Sequence, residues 1–381
     1  MLVQQLLIFG LTNGTVVALN AVGFTLAYSV ARQMNLAHGN VFALTTVLVS
    51  SLTGALGVTA TAPALVRVGA LVVLAGCGAA CGATLNAAVE RLAFRPFRIG
   101  RDPLAPLVAS VALSFLLLGV AVRWHAAYSI PQPGHQGVNL PLLAMPDLLP
   151  RVELGWGGVS FTLKDGLVLL VTATAVTATA TFLARTRGGR LLRAVAQDPE
   201  LAALCGADPM RAQTLAFALA GGLAGFGAAI FATYYGGAWG QHGLRSGLAA
   251  MTAAVLGGVG NPGGALIAGV GLGVFGSLSD YILDAYWTPV LILVLLVGLL
   301  AFRPAGLLGS GGVSGSEDIP FSPSVPTVAA QGLPRARWLL AGLLALGLLF
   351  PWLDTPSGSF SPGSPFHADE TSGPTGYASI S

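Results

Sequence analysis

The sequence predicts an all-α fold: a polytopic transmembrane helix bundle of about eight membrane segments with one broken, hairpin region, and a further apolar run near the C-terminus that offers an extra span. Three observations predict it. Only 9% of the 381 residues are charged and 54% are hydrophobic, whereas an ordinary soluble domain carries about a quarter charged residues. Charges so sparse cannot cover soluble domains of this total length, which argues against a soluble enzyme. Charge-free runs of spanning length recur along the chain, and the arginines gather between them.

Crossing a hydrocarbon core of about 30 Å at 1.5 Å per residue takes roughly 20 apolar residues. The N-terminus lacks the basic stretch of a cleavable signal, so the first run, Leu6 to Ala31, is read as the first span. Further runs extend from Val41 to Val66, Val68 to Val89, Leu104 to Val122, Gly166 to Ala184 and Ala212 to Tyr235. The stretch from Ser246 to Ser279 is too long for one straight helix and is interrupted by Gly260-Asn261-Pro262-Gly263-Gly264, so two segments meeting at a turn are expected. Interrupted helices persist at membrane depth only where protein or a water-filled cavity satisfies the freed backbone. Gly260, Asn261 and Pro262 are therefore read either as pathway residues or as a structural turn. A last span, Thr288 to Phe302, stops at Arg303-Pro304. Residues 1–309 thus form the membrane domain; 310–337 have the Gly, Ser and Pro of a linker, 338–353 are a short apolar run, and 354–381 are a polar tail expected to be disordered.

Arginine sets the orientation, because Lys164 is the only lysine and cytoplasmic loops retain positive charge. Arg91, Arg95, Arg98 and Arg101 flank one connection, and Arg185, Arg187, Arg190, Arg193 and Arg211 fill another, so both are expected inside the cell. The segment between them, Arg123 to Asp165, has balanced charges and is expected outside. Placing Arg303 inside requires the interrupted stretch to begin and end outside, which is a hairpin. The 18 basic and 15 acidic residues lie mostly between the apolar runs and leave no basic face for nucleic acid. Cys77, Cys81 and Cys205 are too few for a disulfide framework and are read as packing residues.

The chemistry that is missing narrows the class. A chain with one lysine, in Thr162-Leu163-Lys164-Asp165, has no Gly-Lys-Ser/Thr loop to cradle ATP phosphates. Proton-driven carriers generally hold carboxylates or histidines at membrane depth, whereas Glu90, Asp280 and Asp284 stand at the ends of runs. Gly271-Leu-Gly273-Val-Phe-Gly276 matches G-x-G-x-x-G but lacks a βαβ setting, and it is read with Gly221-Gly222-Leu-Ala-Gly225 as close helix packing, within the chain or between subunits. No catalytic residue, metal ligand set or cofactor site is expected.

The strongest local signal is Asp198-Pro199-Glu200-Leu201-Ala202-Ala203-Leu204-Cys205-Gly206. Asp198 can cap a helix, Pro199 suits its first position, Glu200 favours the positive dipole end, and Gly206 permits a left-handed exit. The expected helix has about two turns, roughly 10 Å, and Asp208-Pro209 starts the next one. Such a helix inside an arginine-rich loop fits another protein's groove, or it is an ordinary capped connector. His38 and Asn35, in a polar turn after the first span, are read as pathway residues or as helix-capping groups. Arg193 and Arg190 serve a partner contact or membrane anchoring; Arg245, in an external loop, is read as a solvated rim charge ahead of a salt bridge to another protein.

Four blocks in order resemble the permeases of bacterial ABC importers for branched-chain amino acids, specifically the H-type subunit. They are Asn35-Leu36-Ala37-His38-Gly39; Glu90-Arg91-Leu92-Ala93-Phe94-Arg95-Pro96; Arg193-Ala194-Val195-Ala196-Gln197-Asp198 through Gly206; and Ala253 to Gly260 with Pro262-Gly263-Gly264-Ala265. The resemblance covers about residues 1 to 309. It implies a translocation subunit in the bacterial inner membrane that pairs with a second homologous permease, two cytoplasmic ATPase subunits that bind the ATP, and a periplasmic or lipid-anchored substrate-binding protein. It also implies that Arg193, Asp198, Glu200, Leu201, Leu204, Gly206 and Asp208 belong to the coupling helix that docks on an ATPase. Asn40 stands where family members often carry an acid. The run 338–353 exceeds the usual end of this subunit and looks like the opening helix of a partner permease. A urea or short-chain amide importer shares the same blocks; an ion-coupled secondary transporter or a channel is the reading from another class.

Overall fold

The computed structural model describes residues 2–97, 104–128, 143–149, 153–156, 159–283, 287–303 and 306–308. Arg98, Arg101, the linker, the run 338–353 and the tail lie outside the described residues. Among the described residues, eleven α-helices follow one another: α1 Leu2–Ala31, α2 His38–Ala55, α3 Ala64–Val89, α4 Leu104–Tyr128, α5 Leu163–Arg185, α6 Arg187–Gln197, α7 Pro199–Leu204, α8 Pro209–Tyr235, α9 Gly243–Gly257, α10 Pro262–Leu283 and α11 Thr288–Phe302. A π-turn, Glu90–Phe94, and a short tight turn, Arg95–Phe97, prolong α3. Strand β1 (Leu143–Ala144) pairs with β4 (Gly237–Ala238), and β2 (Glu153–Trp156) pairs with β3 (Val159–Thr162), both antiparallel. These ribbons decorate a helical bundle and leave its class unchanged.

Among the described residues, six helices are long and apolar enough to cross a membrane, namely α1, α3 with its extension, α4, α5, α8 and α10; α11 is a shorter apolar helix. The chain is thus a multi-pass membrane protein. One expected span is corrected. The run from Val41 to Val66 is not one helix: α2 begins at His38 and ends at Ala55, where Gly57 takes a left-handed φ of 61°. Pro63 then precedes α3, which takes in Arg67.

Glycines fix how the helices cross. Gly10 and Gly14 of α1 lie against Val274 and Val270 of α10, and Gly269 lies against Ala18, so the two run antiparallel. Gly23 sits over Ala220 and Gly227 over Leu19, which makes α8 antiparallel to α1; Gly78 with Gly225 and Gly82 with Gly221 do the same for α3 and α8. A Cβ added to Gly14 would stand 2.6 Å from the Val270 carbonyl oxygen, so backbone contact itself holds these crossings. The G-x-G-x-x-G match resolves accordingly, with Gly269 and Gly273 packed on α1 and Gly271 facing open space. The described small-residue pairs pack within the chain.

The C-termini of α1 and α3, the N-terminus of α8, and α6 and α7 gather at one arginine-rich end. The stretch from Ser246 to Ser279 is a hairpin of α9 and α10, turning at residues 258–261 through positive φ at Gly258 (94°) and Gly260 (90°). That turn lies toward the arginine-rich end, where the Leu307 amide donates to the Leu256 carbonyl at 2.7 Å. Irregular backbone reaches mid-depth elsewhere. His38, the first residue of α2, touches the carbonyl of Asn20, roughly 16 Å along α1 from its end at Ala31. The start of α9 packs on the start of α2, with Gly243 against Asn40 and Ala43, and Gly247 against Gly39. Residues 32–37 and 236–242 are therefore the non-helical segments that enter the bundle.

Candidate functional site

At the arginine-rich end, α6, α7 and the start of α8 form a single arm. Helix α6 buries Gly189, Leu192 and Val195 and exposes Arg187, Arg190 and Arg193 on its other face. Thr186 caps it by accepting from the Gly189 amide at 3.0 Å. Arg193 donates to the carbonyl of Ala184, near the end of α5, at 3.3 Å. Arg32, at the end of α1 with a φ of 55°, donates to the carbonyls of Ala196 and Gln197 at 2.8 and 3.2 Å. That satisfies two of the orphan acceptors at the end of α6 and ties the arm to the bundle. Charge counting alone did not pick out Arg32, because nothing in its position names the carbonyls it reaches.

Helix α7 is held at both ends. Asp198 Oδ1 accepts from the amides of Glu200 (2.8 Å) and Leu201 (3.0 Å), and Pro199 occupies the first turn. At the other end the Gly206 amide donates to Ala203 and the Ala207 amide to Ala202, at 3.0 and 2.9 Å, while Gly206 takes a φ of 84°. This paired bonding is the Schellman closure, which consumes carbonyls that would otherwise stay open. Asp208 Oδ1 then accepts from Met210 and Arg211 at 2.8 and 3.3 Å and starts α8. Ala202 alone anchors α7 inward as a buried residue. Leu201 is 60% exposed and Leu204 84% exposed, and their spacing of three puts both on one face. The structure therefore brings Asp198, Glu200, Leu201, Leu204, Gly206 and Asp208 together on and beside α7, a helix roughly 9 Å long that presents Leu201 and Leu204 outward, whereas Arg193 lies on α6 and turns back to the end of α5.

A second group of polar side chains is buried at mid-depth, around the starts of α2 and α9. Asn35 Nδ2 donates to Asn86 Oδ1 at 2.9 Å, and Asn86 Nδ2 donates to the Phe217 carbonyl at 2.7 Å. His38 Nε2 lies 3.2 Å from the Asn20 carbonyl, with the ring edge-on to Phe24. Asn40 Nδ2 donates to the carbonyl and hydroxyl of Ser114 at 2.8 and 2.7 Å. His242 stacks on Phe231 with centroids 5.1 Å apart and bonds the Trp239 carbonyl through Nδ1. Among the described residues, Asn20 Oδ1, His38 Nδ1, Asn40 Oδ1, His242 Nε2 and the hydroxyls of Thr25 and Thr252 are buried with no partner. Leaving buried polar atoms unpaired is costly, so this zone is chemically suited to water or a polar solute.

His38 and Asn35 fall in this zone, whereas Gly260, Asn261 and Pro262 do not. Those three form the α9–α10 turn, where Asn261 accepts from the Gly264 amide at 3.1 Å and donates to the Leu308 carbonyl at 3.0 Å. Asn20, Asn40, His242 and Thr252 are the residues that charge-based reading missed, since uncharged polar side chains inside an apolar run leave its span signal intact.

Three other expectations change. Lys164 and Asp165, read as external loop charges, are buried: Lys164 pairs with Asp147 at 2.6 Å, and Asp165 accepts from Thr12, Tyr234 and the Thr162 amide at 3.3, 2.7 and 3.0 Å. Glu90, placed at the end of a run, is wholly buried and accepts from Thr214 at 3.1 Å. Cys77 and Cys205 are exposed and only Cys81 is half-buried, so packing inside this chain does not account for the first two. Among the described residues, no three His, Cys, Asp or Glu side chains converge as metal ligands would.

Comparison with known proteins adds an independent observation. The family described as branched-chain amino acid transport system, permease component, matches residues 6–300. The high-affinity branched-chain amino acid transport system permease protein BraD of Pseudomonas aeruginosa is 30% identical over 311 residues, which are 80% of this chain and 95% of that protein. The corresponding permease protein LivH is 30% identical over 302 residues in Escherichia coli K12 and over 305 in Salmonella typhimurium, covering 79% of this chain and 93% of each relative. No solved structure matches.

Proposed function

The chain belongs to the family of branched-chain amino acid transport permease components, and from that premise we propose that it is the translocating subunit of an ATP-driven importer for branched-chain or related amino acids in a bacterial inner membrane. It works beside a second, homologous permease. Two cytoplasmic ATPase subunits supply the energy, and a periplasmic or lipid-anchored binding protein delivers the solute. The observation that carries this reading is α7: a short helix locked at both ends, presenting Leu201 and Leu204 outward from the arginine-rich end. A solvated connector has no need of such an apolar face, whereas a groove on an ATPase would bury it.

Closure of the ATPases on ATP would displace α7, and with it α6 and α8, which adjoin it in sequence. Helix α8 is in backbone contact with α3 and α1, so it moves as part of a stiff unit rather than bending. The compliant parts are the irregular segments 32–37 and 236–242, and the helices they lead into, α2 and α9, surround the buried polar zone. Tilting the stiff unit against these starts would open that zone alternately to each side, with Asn35, His38 and their neighbours meeting the solute. The single lysine is engaged with Asp147, in keeping with ATP being bound by the partner subunits.

The test is reconstitution of the chain with its partner permease, ATPases and binding protein in liposomes. Uptake that requires ATP and the solute-loaded binding protein is expected. Uphill transport by this chain alone, driven by an ion gradient, overturns the proposal.

A further inference from the structure

A cavity of about 520 Å³ opens at the arginine-rich end between the π-turn after α3 and the first turns of α8. Arg91, Arg95 and Arg211 line it. Asp208 is the one acid among the lining residues, and it is already engaged, capping α8 and pairing with Arg211 at 3.2 Å. Arg91 and Arg95 are exposed and form no ion pair among the described residues. Glu90 stands behind Thr214 and is buried away from the opening.

A second cavity of about 420 Å³ shares Leu215 and Ala218 with the first and continues along α8 as far as Phe226. Its walls are apolar apart from Thr179, with small residues Ala79 and Ala83 from α3 and Ala175 from α5 facing Leu219, Leu223 and Phe226 of α8. At Gly222 no side chain fills it: a Cβ there would still be 3.7 Å from its nearest neighbour. From Leu215 to Phe226 is roughly 16 Å along the helix, about half of a 30 Å hydrocarbon core and so the depth of one leaflet. The slot is open along its length and no side chain projects into it at Gly222, so a single extended hydrocarbon chain can lie along it.

We propose that this composite groove binds one anionic glycerophospholipid of the inner leaflet. Its phosphate lies between Arg91 and Arg95, with Arg211 beside them, and one acyl chain lies in the slot between α3, α5 and α8. Guanidinium groups match phosphate oxygens in paired hydrogen bonds, and basic pockets between helices at the cytoplasmic side are suited to acidic headgroups. Because the headgroup bridges the end of α3 and the start of α8, next to α7, the lipid would hold the two helices at the root of the arm together. The assignment to the inner leaflet rests on the orientation proposed above; the chemistry of the groove does not.

The experiment gives the full chain in detergent equal amounts of phosphatidylglycerol and phosphatidylcholine with the same acyl chains and counts retained lipids by native mass spectrometry. Phosphatidylglycerol is expected to be retained about tenfold or more over phosphatidylcholine, and R91Q/R95Q is expected to remove that preference, given the contribution of each arginine near a lipid surface. The control R187Q/R190Q keeps it. Gly222→Leu, which fills the slot and leaves all three arginines in place, is expected to lower phosphatidylglycerol retention about as much, and inorganic phosphate at the same concentration does not compete. Equal retention of the two lipids, equal loss in the control, or unchanged retention in Gly222→Leu overturns the proposal. So does release of the lipid when the ATPase subunits assemble, which would assign the arginines to a protein partner.

Discussion

The bundle formed by α1, α3, α8 and α10 and the arm formed by α6 and α7 are both built on glycine, yet glycine does opposite work in them. In the bundle it is a spatial requirement. Gly82, Gly221, Gly225 and Gly273 stand where another backbone occupies the place of a Cβ, so any side chain forces two helices apart. In the arm it is a conformational requirement: Gly206 has nothing within 4 Å of a built Cβ but sits at a φ of 84°. The bundle is therefore stiff because its helices meet backbone to backbone at these crossings, and the arm is stiff because its own hydrogen bonds close on themselves. A transmitter that pushes on α8 can use the first kind of stiffness, and a docking knob that must survive exposure to water needs the second.

The comparison is broken most severely in the bundle. Gly225→Leu places a branched side chain into the Gly78 backbone. Overpacking of well-packed sites costs about 1–3 kcal/mol, occasionally more, and a backbone that cannot yield belongs at or beyond the upper end. Loss of the folded species in size-exclusion chromatography, or a large fall in Tm, is expected. Gly222→Ala, three residues earlier on the same helix, meets only atoms at 3.7 Å or more and should be near neutral. Similar Tm values for the two variants would show that α3 and α8 are not in backbone contact.

A smaller effect is expected at Gly206→Val, because only local strain opposes it. A left-handed conformation costs a residue with a Cβ roughly 1–2 kcal/mol, and a β-branched one tolerates it worst. Gly206→Asn should recover most of the loss, since Asn visits that region readily. If valine and asparagine behave alike, steric contact rather than φ governs the site, and the contrast with the bundle fails. Asp198→Ala comes next, removing the oxygen that accepts from two amides at the start of α7, for about 1 kcal/mol. Asp198→Asn or Asp198→Ser restores the cap, so recovery of stability in those two variants, measured by thermal unfolding of the purified chain, separates capping from charge.

How much of this is legible in the sequence follows the same division. The caps of α7 and α8 are readable because every partner lies within a few residues, so Asp-Pro followed by glycine states its own geometry. The spans are readable because lipid demands long apolar runs. The early end of α2 is harder, since Val41 to Val66 stays uncharged through the turn, and Gly57 and Pro63, which mark the break, leave the apolar run intact. The amphipathic α6 is obscured by its arginines, which satisfy loop and helix readings alike. The polar zone is harder still. Asn20, Asn40 and Thr252 leave hydropathy nearly unchanged, and their meeting depends on α1, α2 and α9 folding back to the same depth. Lys164 and Asp165 read as solvated charges because Asp147, Thr12 and Tyr234 are brought to them by tertiary structure alone.

The smallest effect on stability is expected where the effect on function is large. Leu204 is 84% exposed, and substitutions at such sites usually move stability by no more than about 0.5 kcal/mol. Leu204→Glu should therefore leave the Tm of the isolated chain unchanged. In the assembled transporter the same carboxylate would be forced into an apolar groove, where burying an unpaired charge costs several kcal/mol, so solute-stimulated ATP hydrolysis should fall by an order of magnitude or more. Leu204→Met, which keeps shape and apolarity, should retain it. Ala202→Glu, two residues away on the opposite, buried face of α7, is the converse case: it should lower the Tm of the isolated chain as well as the coupled activity. If Leu204→Glu and Ala202→Glu lose stability in equal measure, the outer face of α7 packs within this chain and is not held out for a partner.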